Sequence, residues 1–466
     1  MIPIQLPDLF RCFQGVVPSV IATSDERGVP NVTYVSQVFF VDDRHVALSC
    51  QFFNKTRRNL DANPNAAVEV YDPVSMQAYR LRLRFLRSEK TGPLFDAMDL
   101  RIRAIASVTG MSGVFRLLAS DVFEVVKVER VDGFLTNPEV PVADRFSLEG
   151  LRSELRGLQW VSERINRADD LESLLEGVLE ALDTYFSFSH AMVLLYDEPA
   201  QRLVTIASRG YGESGVGAEV ALGEGPIGTV ARERRVLRLT GLHESLRYGR
   251  AVRREVVSHE SAASVAPEIP LPGLPEAQSM LVIPLAMSKR LIGVLAVESR
   301  EPLGFGEWHE AYLEVVGNQI ALGIDRISER EPAEPSTVVA TPVMAAAPVI
   351  VPPAAAEPPR NKRTLVYYRN DDCVFVDGDY LIRNVPGRIL WKLLGEWQRD
   401  GRTEFTNREL RLDDSLGLPA IKDNLESRLI LLRKRLEEKC PDLKLVSVGR
   451  GRFALQVAAT VEMVER

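Results

Sequence analysis

The chain has 466 residues, enough for about three domains at roughly 100–200 residues each. Hydrophobic residues make up 45% and charged residues 26%, a globular composition that excludes wholesale disorder, and a formal charge of −7 excludes indiscriminate nucleic-acid binding by the chain as a whole. No stretch reaches the ~18 consecutive apolar residues of a membrane span, and Cys12, Cys50, Cys373 and Cys440 lie too far apart for a CxxC zinc, iron–sulfur or disulfide framework. The opening segment from Met1 to Asp8 has neither a basic start nor a long apolar core, so the expectation is a cytoplasmic protein without a signal peptide or membrane contact.

Residues 1–140 read as strands. Val16–Thr23, Val29–Phe40, His45–Phe53, Ala67–Tyr71, Ala78–Leu86 and Val122–Val128 are rich in β-branched and aromatic residues and are separated by Asp/Gly turn chemistry. Six short strands with tight turns predict a small barrel. Between the third and fourth lies Gln51-Phe52-Phe53-Asn54-Lys55-Thr56-Arg57-Arg58-Asn59-Leu60-Asp61-Ala62-Asn63-Pro64. Basic and hydroxyl groups gathered at a helix start suit a phosphate, because backbone N–H groups point the same way. A solvated basic turn before a helix is the other reading of the same residues.

This stretch resembles the pyridoxamine-phosphate-oxidase-like split barrels that bind flavin mononucleotide (FMN). Asn54-Lys55-Thr56 falls on that family's phosphate cluster, Leu60, Asn63 and Pro64 on its helix ending, and Gln77 on a glutamine that approaches the flavin. The resemblance implies FMN as cofactor, with Gln51, Lys55, Thr56, Arg57, Arg58 and Gln77 as its contacts. The strand Asn31–Gln37 lacks the family's basic residues and Tyr79 stands where an arginine is usual, which argues against pyridoxamine-phosphate oxidation itself. Another flavin-like cofactor, or none, stays open.

From Leu148 the apolar positions Leu148, Leu151, Leu155, Leu158 and Ile165, with Ser162 in series, give a connecting helix over 146–166. The seam serves either packing on its own domain or a parallel dimer. Residues 167–328 then alternate helix and strand: Leu171–Leu182 as an amphipathic helix, strands at Ala191–Tyr196 and Arg202–Ser208, a glycine-rich turn Gly223–Ala231, and paired strands Ser279–Leu285 and Leu291–Ser299. The Gly223-x-Gly225-x-x-Gly228 turn and the strand pair resemble a GAF domain, an α/β sandwich that binds small molecules or dimerises. The segment Arg235–Gly273, with four arginines around Tyr248, is expected to cover the GAF pocket. His190, His243, His259 and His309 have no metal-ligand spacing, and no metal site is expected.

Between Glu331 and Arg360, eight Pro and eight Ala fill 16 of 30 positions without Gly or aromatic residues, which makes 329–361 an extended tether. Residues 362–466 carry 20 basic against 17 acidic side chains. A hairpin at Cys373–Ile382, helices at Ile389–Trp397, from the capping box Thr406-Asn407-Arg408-Glu409 and over about 420–439, and a last hairpin at Leu443–Val457 follow in order. The order resembles the winged-helix domain of response-regulator transcription factors. Leu425, Leu429, Leu432 and Leu436 form the stripe expected inside, with Ser427 and Lys434 pointing most directly away. The DNA contacts implied are Asn424, Ser427, Arg428, Leu431, Lys434 and Arg435 of the helix and Arg450 and Arg452 of the wing. The whole reads as a multidomain α+β protein: a sensory split barrel and GAF domain, a linker and a winged helix, acting as a homodimeric transcriptional regulator that binds DNA and an unidentified GAF ligand. The alternative is an FMN-dependent oxidoreductase with regulatory GAF and winged-helix domains. No catalytic residues are assigned.

Overall fold

A computed structural model of the chain describes residues 4–50, 55–132, 148–198, 200–211, 215–258, 273–288, 290–329, 362–369, 372–416, 418, 425–449 and 451–466. They fall into two compact units, Met1–Glu163 with Gly177–Ala321, and Arg164–Glu176 with Leu322–Arg466.

In the first unit a 3-10 turn over Leu6–Phe13 precedes strands β1 (Ser19–Ser24), β2 (Pro30–Val35), β3 (Val38–Asp42) and β4 (His45–Cys50). Helix α1 (Lys55–Ala62), strands β5 (Asn65–Tyr71) and β6 (Ala78–Glu89), helix α2 (Pro93–Val108) and strand β7 (Ala119–Val131) complete the N-terminal domain. Its seven strands form one antiparallel sheet in the order β2-β1-β5-β6-β7-β4-β3. The expected Val29–Phe40 strand is two. Ser36 and Gln37 interrupt it, and the Gln37 side-chain amide donates to the Phe13 carbonyl at 2.7 Å. Leu6, Leu9, Cys12 and Phe13 cap a core of Ile21, Val46, Val68, Leu81 and Phe123.

Helix α3 (Leu148–Arg167) follows, but its inner face differs from the expected seam. Gly157, Val161 and Ile165, at four-residue steps, are buried, whereas Leu155 is 58% exposed. Gly157 sits there because a Cβ would meet the Phe186 ring at 2.3 Å. The domain after it runs through α4 (Leu171–Phe186), β8 (His190–Asp197), β9 (Arg202–Arg209), β10 (Glu219–Ala221), α5 (Gly225–Glu233), β11 (Leu237–Leu239), α6 (Leu242–Ser258), β12 (Ser279–Met287), β13 (Arg290–Ser299) and α7 (Glu307–Glu329). Its sheet has the order β10-β9-β8-β13-β12-β11. The glycine turn is tight for a steric reason: a Cβ on Gly228 would stand 2.2 Å from the Ala221 carbonyl. From Gly225 the chain is helical rather than a bare turn.

The second unit carries β14 (Lys362–Tyr368), β15 (Cys373–Val376), β16 (Asp379–Ile382), α8 (Asn384–Asp400), β17 (Glu404–Thr406), α9 (Asn407–Arg411), α10 (Leu425–Lys439), β18 (Leu443–Gly449), β19 (Arg452–Val457) and β20 (Thr460–Glu465). A four-stranded sheet β16-β15-β14-β20, in which β14 and β20 run parallel, and a three-stranded sheet β17-β19-β18 flank the helices. Leu425, Leu429, Leu432 and Leu436 of α10 join Ile389, Leu390, Leu393 and Leu394 of α8 in one core. No helix among the described residues is long and apolar enough to cross a membrane.

Candidate functional site

Helix α1 is fixed by its polar residues. Asn59 donates to Thr23 Oγ1 at 3.2 Å and Asn63 to Ser24 Oγ at 2.9 Å, tying the helix to β1, while Leu60 enters the core. This anchoring aims Thr56 and Arg57 at a cavity of about 170 Å³. Its apolar wall includes Ile21, Leu48 and Phe123, and its polar wall includes Thr33, Ser36, Ser49 and Asp121. Thr56 accepts from Asn31 Nδ2 at 3.0 Å.

The centre of the wall is an ion pair. Arg57 Nη1 lies 2.7 Å from Asp121 Oδ1 and 2.5 Å from Ser88 Oγ, Ser88 donates to the same Oδ1 at 2.5 Å, and Arg57 Nη2 lies 3.0 Å from Asp61. The guanidinium also stacks over the Phe85 ring at 4.8 Å. Burial pushes the Asp121 carboxyl upward against the pull of Ser88 and Arg57, and burial followed by the Asp121 charge pushes the Cys50 thiol up.

Both domains of this unit build the cavity. Tyr248, on α6, lines it and packs its ring 6.0 Å from Phe115. The expectation that Arg235–Gly273 covers a GAF pocket is corrected for α6, which turns toward the N-terminal domain. Tyr248, Val252 and Val256, at four-residue steps, pack on the Met98, Ile102 and Phe115 cluster, and Arg253 donates to the Thr109 carbonyl at 2.6 Å. Helix α2 is the bridge. Ser107 Oγ accepts from Gly225 N at 2.6 Å, Arg103 pairs with Glu233, and Arg101 donates to the Thr240 carbonyl at 2.8 Å. Burial, with Arg238 nearby, pulls the Arg101 guanidinium down to about 10.

Of the residues predicted to hold FMN, Thr56 and Arg57 line the cavity; Lys55 and Arg58 are exposed on α1, and Gln51 lies outside the described residues. Gln77 is buried but elsewhere: it donates to the Ala78 and Val131 carbonyls and accepts from Arg130 Nε at 2.7 Å, which satisfies its amide within the β6–β7 ladder. Sequence reasoning missed Ser36, Ser49, Cys50, Asp121 and Tyr248. Asp121 had a visible signal, a carboxylate inside an apolar strand.

The described residues of this wall fit FMN poorly. Its phosphate carries close to two negative charges, and Arg57, which lines the cavity, already serves two carboxylates. About 170 Å³ is also small against the ~300–1,000 Å³ of ordinary ligand sites.

In the second unit Ser427, expected to face outward, is buried, as is Arg428. Helix α10 is enclosed on more than its leucine face: Arg433 donates to the Leu445 carbonyl at 2.9 Å and pairs with Glu172, and Lys434 lies 3.7 Å from Glu176. Leu431 is half-buried against the core, and Arg435 pairs with Glu438 at 3.1 Å. Arg452 is exposed and pairs with Glu404 at 2.7 Å. Asn424 and Arg450 lie outside the described residues.

Comparison with known proteins agrees on two domains. Residues 8–128 match the pyridoxamine 5′-phosphate oxidase family and residues 168–325 the GAF domain family. Among solved structures, the GAF domain of an Acinetobacter phosphoenolpyruvate-protein phosphotransferase is 24% identical, covering 41% of this chain and all of that one, with a TM-score of 0.30. An FMN-binding protein from Syntrophomonas wolfei is 20% identical over 27% of this chain and 86% of its own, at a TM-score of 0.23. Free methionine-R-sulfoxide reductase from Neisseria meningitidis is 17% identical over 40% and 95%, at 0.31. No curated protein matches the chain. The chain therefore joins a β-rich pyridoxamine 5′-phosphate oxidase-type domain to a GAF domain.

Proposed function

We propose that this chain is a small-molecule-responsive regulator whose first two domains sense ligands and whose C-terminal unit binds DNA as part of a homodimer. The observation that carries the sensing part is the polar cavity of the N-terminal domain completed by Tyr248 of the GAF domain, so that an occupant touches both. An FMN-dependent oxidoreductase is the second reading; the pairing of Arg57 with Asp121 and Asp61 weighs against it.

The DNA part is supported by the order of a sheet, three helices and the β18–β19 hairpin, and by the basic side chains Arg435 and Arg452, although each is paired with a carboxylate. Dimerisation is supported by α7, where Trp308, Val315 and Leu322 recur every seven residues and are exposed by 44%, 44% and 57%. A seven-residue apolar repeat is the seam two helices use to pair.

The full-length protein, loaded on genomic fragments at low salt, should retard them and lose them as salt rises. Lys434→Ala with Arg435→Ala should weaken the shift, and Trp308→Glu with Val315→Glu should move the protein from dimer to monomer in sedimentation. Absence of any shift at low salt, or a monomeric wild type, overturns the corresponding part.

A further inference from the structure

The Arg57–Asp121 cavity restricts what it takes by size, charge and hydrogen-bonding pattern. We propose that it binds a single-ring, non-phosphorylated nitrogenous compound whose N–H or amidinium group donates to Asp121 while its ring lies against Tyr248. This deepens the small-molecule part of the function proposed above and rests on it; the DNA part is untouched.

Size comes first. A cavity of about 170 Å³ resembles the ~150 Å³ space that admits benzene and falls short of sites for larger cofactors. Charge comes next. Arg57 faces the carboxylates of Asp121 and Asp61, so its positive charge is already met by two acids. Burial, then the Asp121 charge, holds the neighbouring Cys50 thiol protonated against the opposing pull of Arg57 and Lys90. A phosphate would have to separate Arg57 from both acids. An amidinium or ring N–H meets a carboxylate that is buried and already oriented by Ser88.

The hydrogen-bonding pattern agrees. Both contacts that Asp121 makes fall on Oδ1, and among the described residues Oδ2 accepts none. Burial alone pushes the Tyr248 hydroxyl, on the opposite wall, upward. Thr33 and Ser36 add hydroxyls to the lining, groups that can donate or accept. Tyr248 and Phe123 supply aromatic surface for a ring.

The test is calorimetric titration of the full chain with benzamidine, with its anionic counterpart benzoate, and with FMN. Benzamidine should bind saturably, benzoate at least about tenfold more weakly, and FMN not at all. Asp121→Asn should weaken benzamidine by about tenfold or more, the scale of one hydrogen bond to a charged group. Because Asp121→Asn also disturbs Arg57, Tyr248→Leu, on the other domain, provides an independent variant and should weaken binding as well. The proposal fails if benzamidine does not bind, if benzoate binds equally, if neither variant changes the affinity, or if FMN binds and is lost on Arg57→Ala. DNA retardation, measured without these compounds, is unaffected by any of these results.

Discussion

Asp121 of the N-terminal domain and Glu298 of the GAF domain are both buried carboxylates, and their surroundings differ in kind. Asp121 shares one oxygen between Arg57 and Ser88. Glu298, on β13, accepts from the Tyr211 hydroxyl at 2.9 Å and the Leu274 N–H at 2.7 Å and has no cation against it among the described residues. Gly273 presses over it: a Cβ there would stand 2.4 Å from Oε2. Burial raises both acids, but in Glu298 only neutral donors oppose it, and the carboxyl is pushed up to about 7. A paired buried charge makes its domain sensitive to loss of the partner, whereas a solitary one makes its domain sensitive to pH.

The largest expected effect breaks the pair. Arg57→Met leaves Asp121 buried without a cation and should cost about 3 kcal/mol, toward the low end for a broken buried pair because Arg57 keeps 24% of its side chain exposed. The double change to Arg57→Met with Asp121→Leu should recover most of it, since no charge is then stranded. Denaturant melts of both variants test this, and an equal loss in the double variant would show that Arg57 acts through packing on Phe85 rather than through charge.

Glu298 gives the next effect, with the opposite logic. Its folded pKa lies above its unfolded value, so the folded state retains a proton that the unfolded chain has released. Stability is therefore full below about pH 4.5, falls as pH rises to about 7, and is flat beyond. Between the two values the fall is about 3 kcal/mol, at roughly 1.4 kcal/mol per pH unit. Glu298→Gln keeps the acceptor and removes the titration, so its GAF unfolding transition should lose this slope. Identical pH profiles for wild type and variant would show that Glu298 titrates normally.

Much of this contrast was hidden in the sequence because it depends on contacts between distant residues. Strand periodicity placed β1, β4, β5 and β6 to within a few residues, and the apolar stripe of α10 was legible from its spacing alone. Tyr248 was visible only as a ring among arginines. Its role appears once α2, with apolar residues at Leu94, Met98 and Ile102, is recognised as the surface on which α6 rests. Arg57 was legible as a cation but not as a neutralised one, because Asp121 lies 64 residues away. Leu155 was misread because the helix turns its Gly157–Val161–Ile165 face inward, and a glycine gives no signal on a hydrophobic scale.

The smallest effect sharpens the comparison by removing both burial and buried charge from it. At the start of α9, Thr406 Oγ1 accepts from Glu409 N at 3.2 Å and Glu409 Oε2 accepts from Thr406 N at 3.1 Å, a reciprocal cap anticipated from the Thr-Asn-Arg-Glu spelling. The Glu409 carboxylate also meets Arg402 at 2.6 Å. Thr406→Ala deletes one acceptor at a solvent-facing helix end and should cost about 1 kcal/mol. The lost bond involves a hydroxyl, so the cost should be the same at pH 5 and pH 8, unlike that of Glu298→Gln, and Thr406→Ser should restore most of it. A Thr406→Ala penalty that vanishes at the lower pH would mean that the glutamate half of the box carries the cap. That half would weaken in acid because Glu409 is held below the usual carboxylate range by the Thr406 N–H and Arg402 against the opposing effect of burial.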